Sequence, residues 1–234
     1  MCSQDVGGAP LQRFLVYALS RIPDMTGLSG REKVKYLVSW MEPPTVLPRE
    51  FYARSPDLVA RDLLGKTLVR NRDGRRLGGT VVETESYMGT ADPASRAFRG
   101  LKNYNRVMWG EPGRLFVYNV HKYWMLNVVS HTADRVGGVL FRAIEPTRGI
   151  DEMRRNRGVE DIRELARGPG KLTVALGVDR ELNGYPVTDP DSPVAVFDAP
   201  CVADYCTSKR IGVTRDLTKE LRFYVRGSAF VSRG

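Results

Sequence analysis

Two glutamates and a tyrosine alternate along Val82-Glu83-Thr84-Glu85-Ser86-Tyr87-Met88-Gly89, and Asp92-Pro93-Ala94-Ser95 follows shortly after. In a strand, successive side chains point to opposite faces. Glu83, Glu85 and Tyr87 then share one face, and Thr84 and Ser86 take the other. Glu85 falls near the strand end, where a carboxylate can reach a cleft and serve as a general base or stabilise developing positive charge. Spacing alone also fits two surface glutamates on a half-exposed strand, the ordinary place for such residues. Further along, Arg142 interrupts the apolar run Val139-Leu140-Phe141-Arg142-Ala143-Ile144. An unpaired charge there would be expensive to desolvate, so the run calls for a carboxylate partner. Glu85 is one candidate; Glu83 or Glu145 would make the pair purely structural.

Aromatic residues cluster between these two segments. Phe116 and Tyr118 share a strand face, and Tyr123, Trp124 and Asn127 follow a short tip. Aromatic rings interleaved with polar groups in a basic protein have the composition of a base-stacking pocket. Core filling is the simpler account of Phe116 and Trp124, while Tyr118 suits either role. The chain of 234 residues carries a formal net charge of +9. A surface that basic attracts phosphate, on nucleic acid, anionic lipid or a nucleotide, although a plain lysine and arginine excess also accounts for it.

Composition excludes several classes. Hydrophobic residues make up 42% of the chain, enough for a packed core. Cys2, Cys201 and Cys206 form an odd set without a C-x-x-C pair, which argues against a disulfide framework or zinc knuckle and for a reducing interior. Histidine occurs only at His121 and His131, too few for a His-rich metal site. No apolar run is long enough to span a membrane. Residues 1–41 lack the pattern of a secretory signal.

The elements that must hold these residues can be read from punctuation and periodicity. Residues 1–41 read as an extension of unknown role, with an apolar piece at 14–19, a helix expected over 31–40, and Met41 as a candidate initiator. In that case the preceding forty residues are a start-site artefact or a loosely attached extension. Residues 42–234 form the second unit, compact from Leu47 onward. Ser55 and Pro56 open a short helix that Gly65 stops. A strand over 66–70, a turn at Asp73-Gly74 and a returning strand over 79–88 make a hairpin. A second hairpin runs over 114–130 with its tip near His121-Lys122-Tyr123. A strand at 139–144 is expected to stop at Pro146. Helices are expected over 147–157, 160–166 and from Gly168-Pro169 onward, with late strands at 194–197 and 221–225. Strands in hairpins rather than βαβ alternation indicate an α+β fold: a single domain with a curved, largely antiparallel sheet and surrounding helices.

These segments resemble the alkyladenine DNA glycosylase family, the 3-methyladenine glycosylases unrelated in fold to the helix-hairpin-helix type. The likeness runs through Val82-Glu83-Thr84-Glu85-Ser86-Tyr87, Asp92-Pro93-Ala94-Ser95, Pro112-Gly113-Arg114-Leu115-Phe116-Val117-Tyr118 and Leu126-Asn127-Val128-Val129. It continues through Leu140-Phe141-Arg142-Ala143-Ile144-Glu145-Pro146, Gly168-Pro169-Gly170-Lys171-Leu172 and residues 221–228, in family order and over nearly all of 47–232.

The resemblance implies a monofunctional enzyme of base-excision repair that flips a damaged purine from duplex DNA and hydrolyses its N-glycosidic bond. It implies Glu85 as general base, Arg142 as the group that helps hold the attacking water, and the carbonyl of Ile211 as a third water contact. Tyr87 and Tyr118 would sandwich the base, and Asn127 would clash with the 2-amino group of normal guanine. A hairpin-tip wedge would be His121 or Tyr123, depending on the direction of counting, because the tip is one residue shorter than the family pattern. Where the family commonly has histidine this chain has Arg96, which suggests a substrate range shifted toward neutral lesions. No cofactor, metal or membrane is implied. The expected partner is double-stranded DNA with damaged purines, the expected state a monomer, and the expected location the cytoplasm and nucleoid of a prokaryote or the nucleus of a eukaryote, without secretion. A DNA-binding module without chemistry and a metal-dependent nuclease are the rival classes. Indifference to loss of Glu85 would mark the first, and abolition by chelator the second.

Overall fold

The computed structural model describes residues 45–232. The apolar piece at 14–19, the helix expected over 31–40 and Met41 lie outside them. Within them an eight-stranded sheet forms the frame, and every strand pair in it is antiparallel. The strands are β1 (Thr67–Arg72), β2 (Arg75–Tyr87), β3 (Leu115–Val120), β4 (Tyr123–Val129), β5 (Gly138–Arg148), β6 (Val194–Phe197), β7 (Tyr205–Ser208) and β8 (Arg222–Val225). Their order is β3-β4-β5-β2-β1-β6, with β8 on β2 and β7 on β8.

β2 is the longest strand and organises the rest. One edge pairs with β5. The other edge pairs with β1 through Thr80, and β8 takes over from Glu83 to Glu85. The chain turns from β1 into β2 at Asp73-Gly74, whose φ values of 49° and 71° suit a two-residue turn with both residues left-handed. That pins the register, and with it the face on which each β2 side chain lies.

The helices are short: α1 (Arg49–Tyr52), α2 (Pro56–Asp62), α3 (Ile150–Arg157), α4 (Ile162–Leu165) and α5 (Pro169–Leu176). α2 lies against β2 and β5, and α5 against β4 and β5. Val59, Leu63, Phe141, Ile144, Leu172 and Leu176 are fully buried between them. Each such side chain contributes about 1.5–3 kcal/mol by leaving water. Thr84, on the β2 face opposite Glu83 and Glu85, donates its hydroxyl to the Ala60 carbonyl of α2 at 2.7 Å. A smaller cluster of Ala97, Met108, Phe116 and Val129 packs beneath the loop that follows β2.

Four expectations need correction. β5 does not stop at Pro146 but runs through it to Arg148. Pro146 pairs with Gly79 beside a register shift, and proline is tolerated at such irregularities because no ladder N–H is required there. A side chain at residue 79 would place Cβ 2.0 Å from the Glu145 carbonyl oxygen, so only glycine fits. Because β5 is longer, the helix expected from 147 begins at Ile150, and the one expected over 160–166 shrinks to α4. Ser55 stands at the N-cap of α2, but its hydroxyl bonds Asp57 instead of a backbone amide. β7 was not foreseen.

Candidate active site

Glu83 and Glu85 are both fully buried, so neither is a surface glutamate. The period of two does put them on one face, and β5 supplies the charge that makes this tolerable. The β2–β5 register slips twice here: Val81 faces Ile144, Glu83 faces Ala143, and Thr84 faces Phe141. The slips leave Val82 and Arg142 as extra residues without a partner in the ladder. Bulges re-aim side chains. From this position Arg142 reaches both glutamates, with Nε 2.8 Å from Glu83 Oε1 and Nη1 3.1 Å from Glu85 Oε1. The three candidate partners thus reduce to two, since Glu145 is exposed.

The two carboxylates then diverge. Glu83 is saturated. It accepts from Arg142, from Arg222 Nε of β8 at 2.7 Å, and from the amide and hydroxyl of Ser232 at 2.6 and 2.8 Å. Burial pushes its carboxyl up, but Arg142, the Ser232 amide and Arg222 more than offset this and hold it below the usual range. Glu85 has fewer donors: Arg142, the Ile211 amide to Oε1 at 2.8 Å and the Tyr87 hydroxyl to Oε2 at 2.9 Å. Burial dominates there and raises its carboxyl above the ordinary value. Neighbouring carboxylates driven apart in this way mark one fixed charge and one group able to exchange a proton.

The three groups that hold Glu85 also line a cleft. Tyr87, Arg142 and Ile211 bound a cavity of about 950 Å³ together with Arg96 and Tyr118. Glu85 lies directly behind this wall. Arg99, Lys102 and Arg215 line the same cleft, as do Phe98 and Tyr104, which are exposed. The resemblance implied a role for the Ile211 carbonyl; the contact made here is the Ile211 N–H on the glutamate itself.

Tyr87 and Tyr118 also bound a second cavity of about 10 Å³, with Phe116 and Asn127. Phe116 stacks on Tyr118 with centroids 5.0 Å apart, which gives Tyr118 a rigid backing. Trp124 is half-buried against the main core. Burial raises the Tyr118 and Tyr87 hydroxyls above their ordinary range, and Glu85 adds to the effect at Tyr87. Both phenols are therefore neutral, and the Tyr87 hydroxyl donates to Glu85. The Asn127 amide nitrogen donates to the carbonyls of Phe116 and Met125 at 3.1 and 3.2 Å, which fixes its plane. The Arg96 guanidinium lies 4.6 Å from the Tyr118 ring centroid. At the hairpin tip, His121 and Lys122 form the turn between the paired Val120 and Tyr123. His121 is exposed with φ 52°, while the Tyr123 ring lies over Gly170, where a Cβ would come within 2.9 Å of it.

Comparison with known proteins identifies a family. The profile of the methylpurine-DNA glycosylase (MPG) family matches residues 50–229. The chain belongs to that family. An Aeropyrum pernix relative whose name carries the words 3-methyladenine DNA glycosylase is 41% identical over 191 residues, covering 80% of this chain and 93% of the relative. Similarly named relatives from Mesorhizobium japonicum and Carboxydothermus hydrogenoformans are 44% identical over 175 residues and 40% over 190. These alignments cover 74% and 80% of this chain, and 84% and 99% of the relatives. In this methylpurine-DNA glycosylase family member, sequence reasoning gave no role to four residues that shape the site. Asp92 stood within a named motif without a partner, Arg210 directly precedes Ile211, and Arg222 and Ser232 complete the cage around Glu83. A buried arginine demands a carboxylate, but which one is a tertiary fact.

Proposed function

We propose that this chain is a monofunctional DNA glycosylase of base-excision repair, which extrudes a damaged purine and hydrolyses its N-glycosidic bond to leave an abasic site. The observation that carries the reading is the Glu85 carboxylate, buried, raised in pKa and wired to Tyr87, Arg142 and Ile211 at the wall of a large basic cleft.

A base inside a duplex hides its glycosidic bond, so the nucleotide must leave the stack, and damaged or mispaired bases cost less to extrude. Tyr87 and Tyr118 grip the purine, and their faces attract a cationic alkylated base by roughly 0.5–2 kcal/mol each. Such a base leaves readily because breaking the bond neutralises it. Positive charge then grows on the sugar, where the Glu85 carboxylate stabilises it and takes a proton from the attacking water. Arg142 keeps Glu85 oriented while Glu83 balances the arginine. No step calls for a metal or an amine nucleophile. Asn127 opposes the 2-amino group of guanine. Both wedge candidates are exposed, but His121 projects from the tight turn while the Tyr123 ring packs over Gly170, which favours His121. The enzyme acts as a monomer on duplex DNA in the nucleoid or nucleus.

Arg96 shapes the lesion range. It stands on Tyr118 and has no ion-pair partner among the described residues. A cation beside the gripped purine repels a positively charged lesion, an effect that solvent around the exposed Arg96 weakens without abolishing. Cationic 7-methylguanine is therefore disfavoured against hypoxanthine or ethenoadenine. The test is a panel of duplexes with single defined lesions, incubated in chelator and cleaved at abasic sites with alkali. Excision of neutral purines without strand cleavage before alkali supports the reading; no abasic sites from any lesion overturns it. Arg96→His raises the ratio of 7-methylguanine to hypoxanthine excision, and an unchanged ratio removes Arg96 from the account.

A further inference from the structure

The Arg210 side chain is fully buried and meets the site from several directions. Nη1 and Nη2 make a two-pronged pair with Asp92 at 2.6 and 2.8 Å. Asp216 accepts from Nε and Nη2 at 3.0 and 2.5 Å. Nη1 also donates to the Ser86 carbonyl at 3.0 Å, on the strand between Glu85 and Tyr87. The guanidinium plane rests 4.6 Å from the Tyr87 ring centroid. The next residue, Ile211, donates its amide to Glu85. Asp92 is anchored in turn by the Met88 and Ala94 amides at 2.9 and 3.0 Å, so it binds both ends of the turn after β2.

One planar side chain thus backs the Tyr87 ring, sets the loop that supplies a donor to Glu85, and pins the strand that carries both. We propose that Arg210 is a positioning residue for the glycosylase reaction, which holds the base-gripping ring of Tyr87 and the carboxylate of Glu85 at one fixed spacing. The claim rests on the function proposed above. The competing account is a staple that merely secures the loop after β7 to the sheet. The two differ in what they do to chemistry per folded molecule.

Arg210→Lys keeps the charge that Asp92 and Asp216 require. It removes the plane behind Tyr87 and cannot make the full set of bonds. Displacing a reacting group by about 1 Å costs about 100-fold in rate. Single-turnover excision of hypoxanthine from a duplex by Arg210→Lys is expected to fall by about that factor. Affinity for the same duplex stays within about threefold, because the loss lies in the transition state. With the Ile211 amide loosened, Glu85 loses a donor to its ionised form, so the acid limb of the pH–rate profile moves to higher pH. Asp216→Asn, which weakens Arg210 at its Nε and Nη2 edge, gives a smaller shift in the same direction. A staple alone would lower the melting temperature and leave the rate per folded molecule and the acid limb unchanged in both variants. That result overturns the proposal. If Arg210→Lys does not fold, Asp216→Asn decides by the same two readouts. If wild type excises no lesion at all, the proposed function has failed rather than the role of Arg210.

Discussion

Replacing Glu85 by glutamine separates chemistry from structure more sharply than any other single change. The side chains have the same shape, so no cavity opens. An amide oxygen at the Oε1 position can still accept from Ile211 at 2.8 Å and Arg142 at 3.1 Å. The amide nitrogen then meets the Tyr87 hydroxyl at 2.9 Å, which turns from donor to acceptor. Hydrogen bonds to a charged acceptor become neutral ones, each worth about half as much. Against that loss, a buried charge that burial already penalises disappears. The two nearly cancel, so folding stability should change by no more than about 1 kcal/mol. Removing a general base costs about 10²–10⁴ in rate, which at 1.36 kcal/mol per tenfold is about 2.7–5.4 kcal/mol of lost transition-state stabilisation. The assay is single-turnover excision with enzyme in excess, alongside anisotropy on an uncleavable lesion duplex and a denaturant melt. Expected are intact folding, intact DNA affinity and a rate at least a hundred times lower. A rate within tenfold of wild type would show that the carboxylate does not serve as the base. A fall in stability of several kcal/mol would make Glu85 a structural residue instead.

The pH dependence should carry the same signature twice. Glu85 must be ionised to act, so excision falls about tenfold per pH unit below its raised pKa. Glu83 has the opposite shift, so its stabilisation is complete above the unfolded-state pKa and is lost as pH falls through the lower folded value. Glu83→Gln, which strips the charge facing Arg142 and Arg222, should therefore cost about 3–5 kcal/mol at neutral pH. That cost should shrink in acid, as measured by urea unfolding across pH; a constant cost would show that the charge is not what matters. DNA binding should weaken steeply with salt, and alanine at Arg99 or Lys102 should each lower the log–log slope by about one if it neutralises a phosphate. An unchanged slope would turn that side chain away from the DNA path.

Where local chemistry decided the outcome, the sequence was readable. Asp73-Gly74 specified a hairpin because that pair tolerates left-handed backbone, and β6 matches the expected 194–197. Gly168-Pro169 opened α5 as proline at a first helical turn should. β7 was hidden because Tyr205-Cys206-Thr207-Ser208 has no apolar run; it exists because β8 offers it an edge. In the site, the shared face of Glu83, Glu85 and Tyr87 followed from strand period, and Arg142 announced a buried partner. That it serves both glutamates depends on two register slips that no periodicity reveals. The Asp92–Arg210 pair lies 118 residues apart in sequence, beyond any local rule.

The double slip also explains how two like charges can sit two residues apart on one buried strand face. A regular ladder would put Arg142 opposite one residue of β2 and leave the other glutamate to be neutralised by a proton. By standing outside the ladder, Arg142 spans both, and Arg222 and Ser232 then complete Glu83 alone. The arginine is thereby held from the far side by a carboxylate whose pKa is driven down. It can orient Glu85 without fully satisfying it. A carboxylate with as many donors as Glu83 would be too weak a base to take a proton from water, and one with no donors would be neutral at working pH. Glu85 lies between these limits because its neighbour two residues earlier takes the larger share of the positive charge.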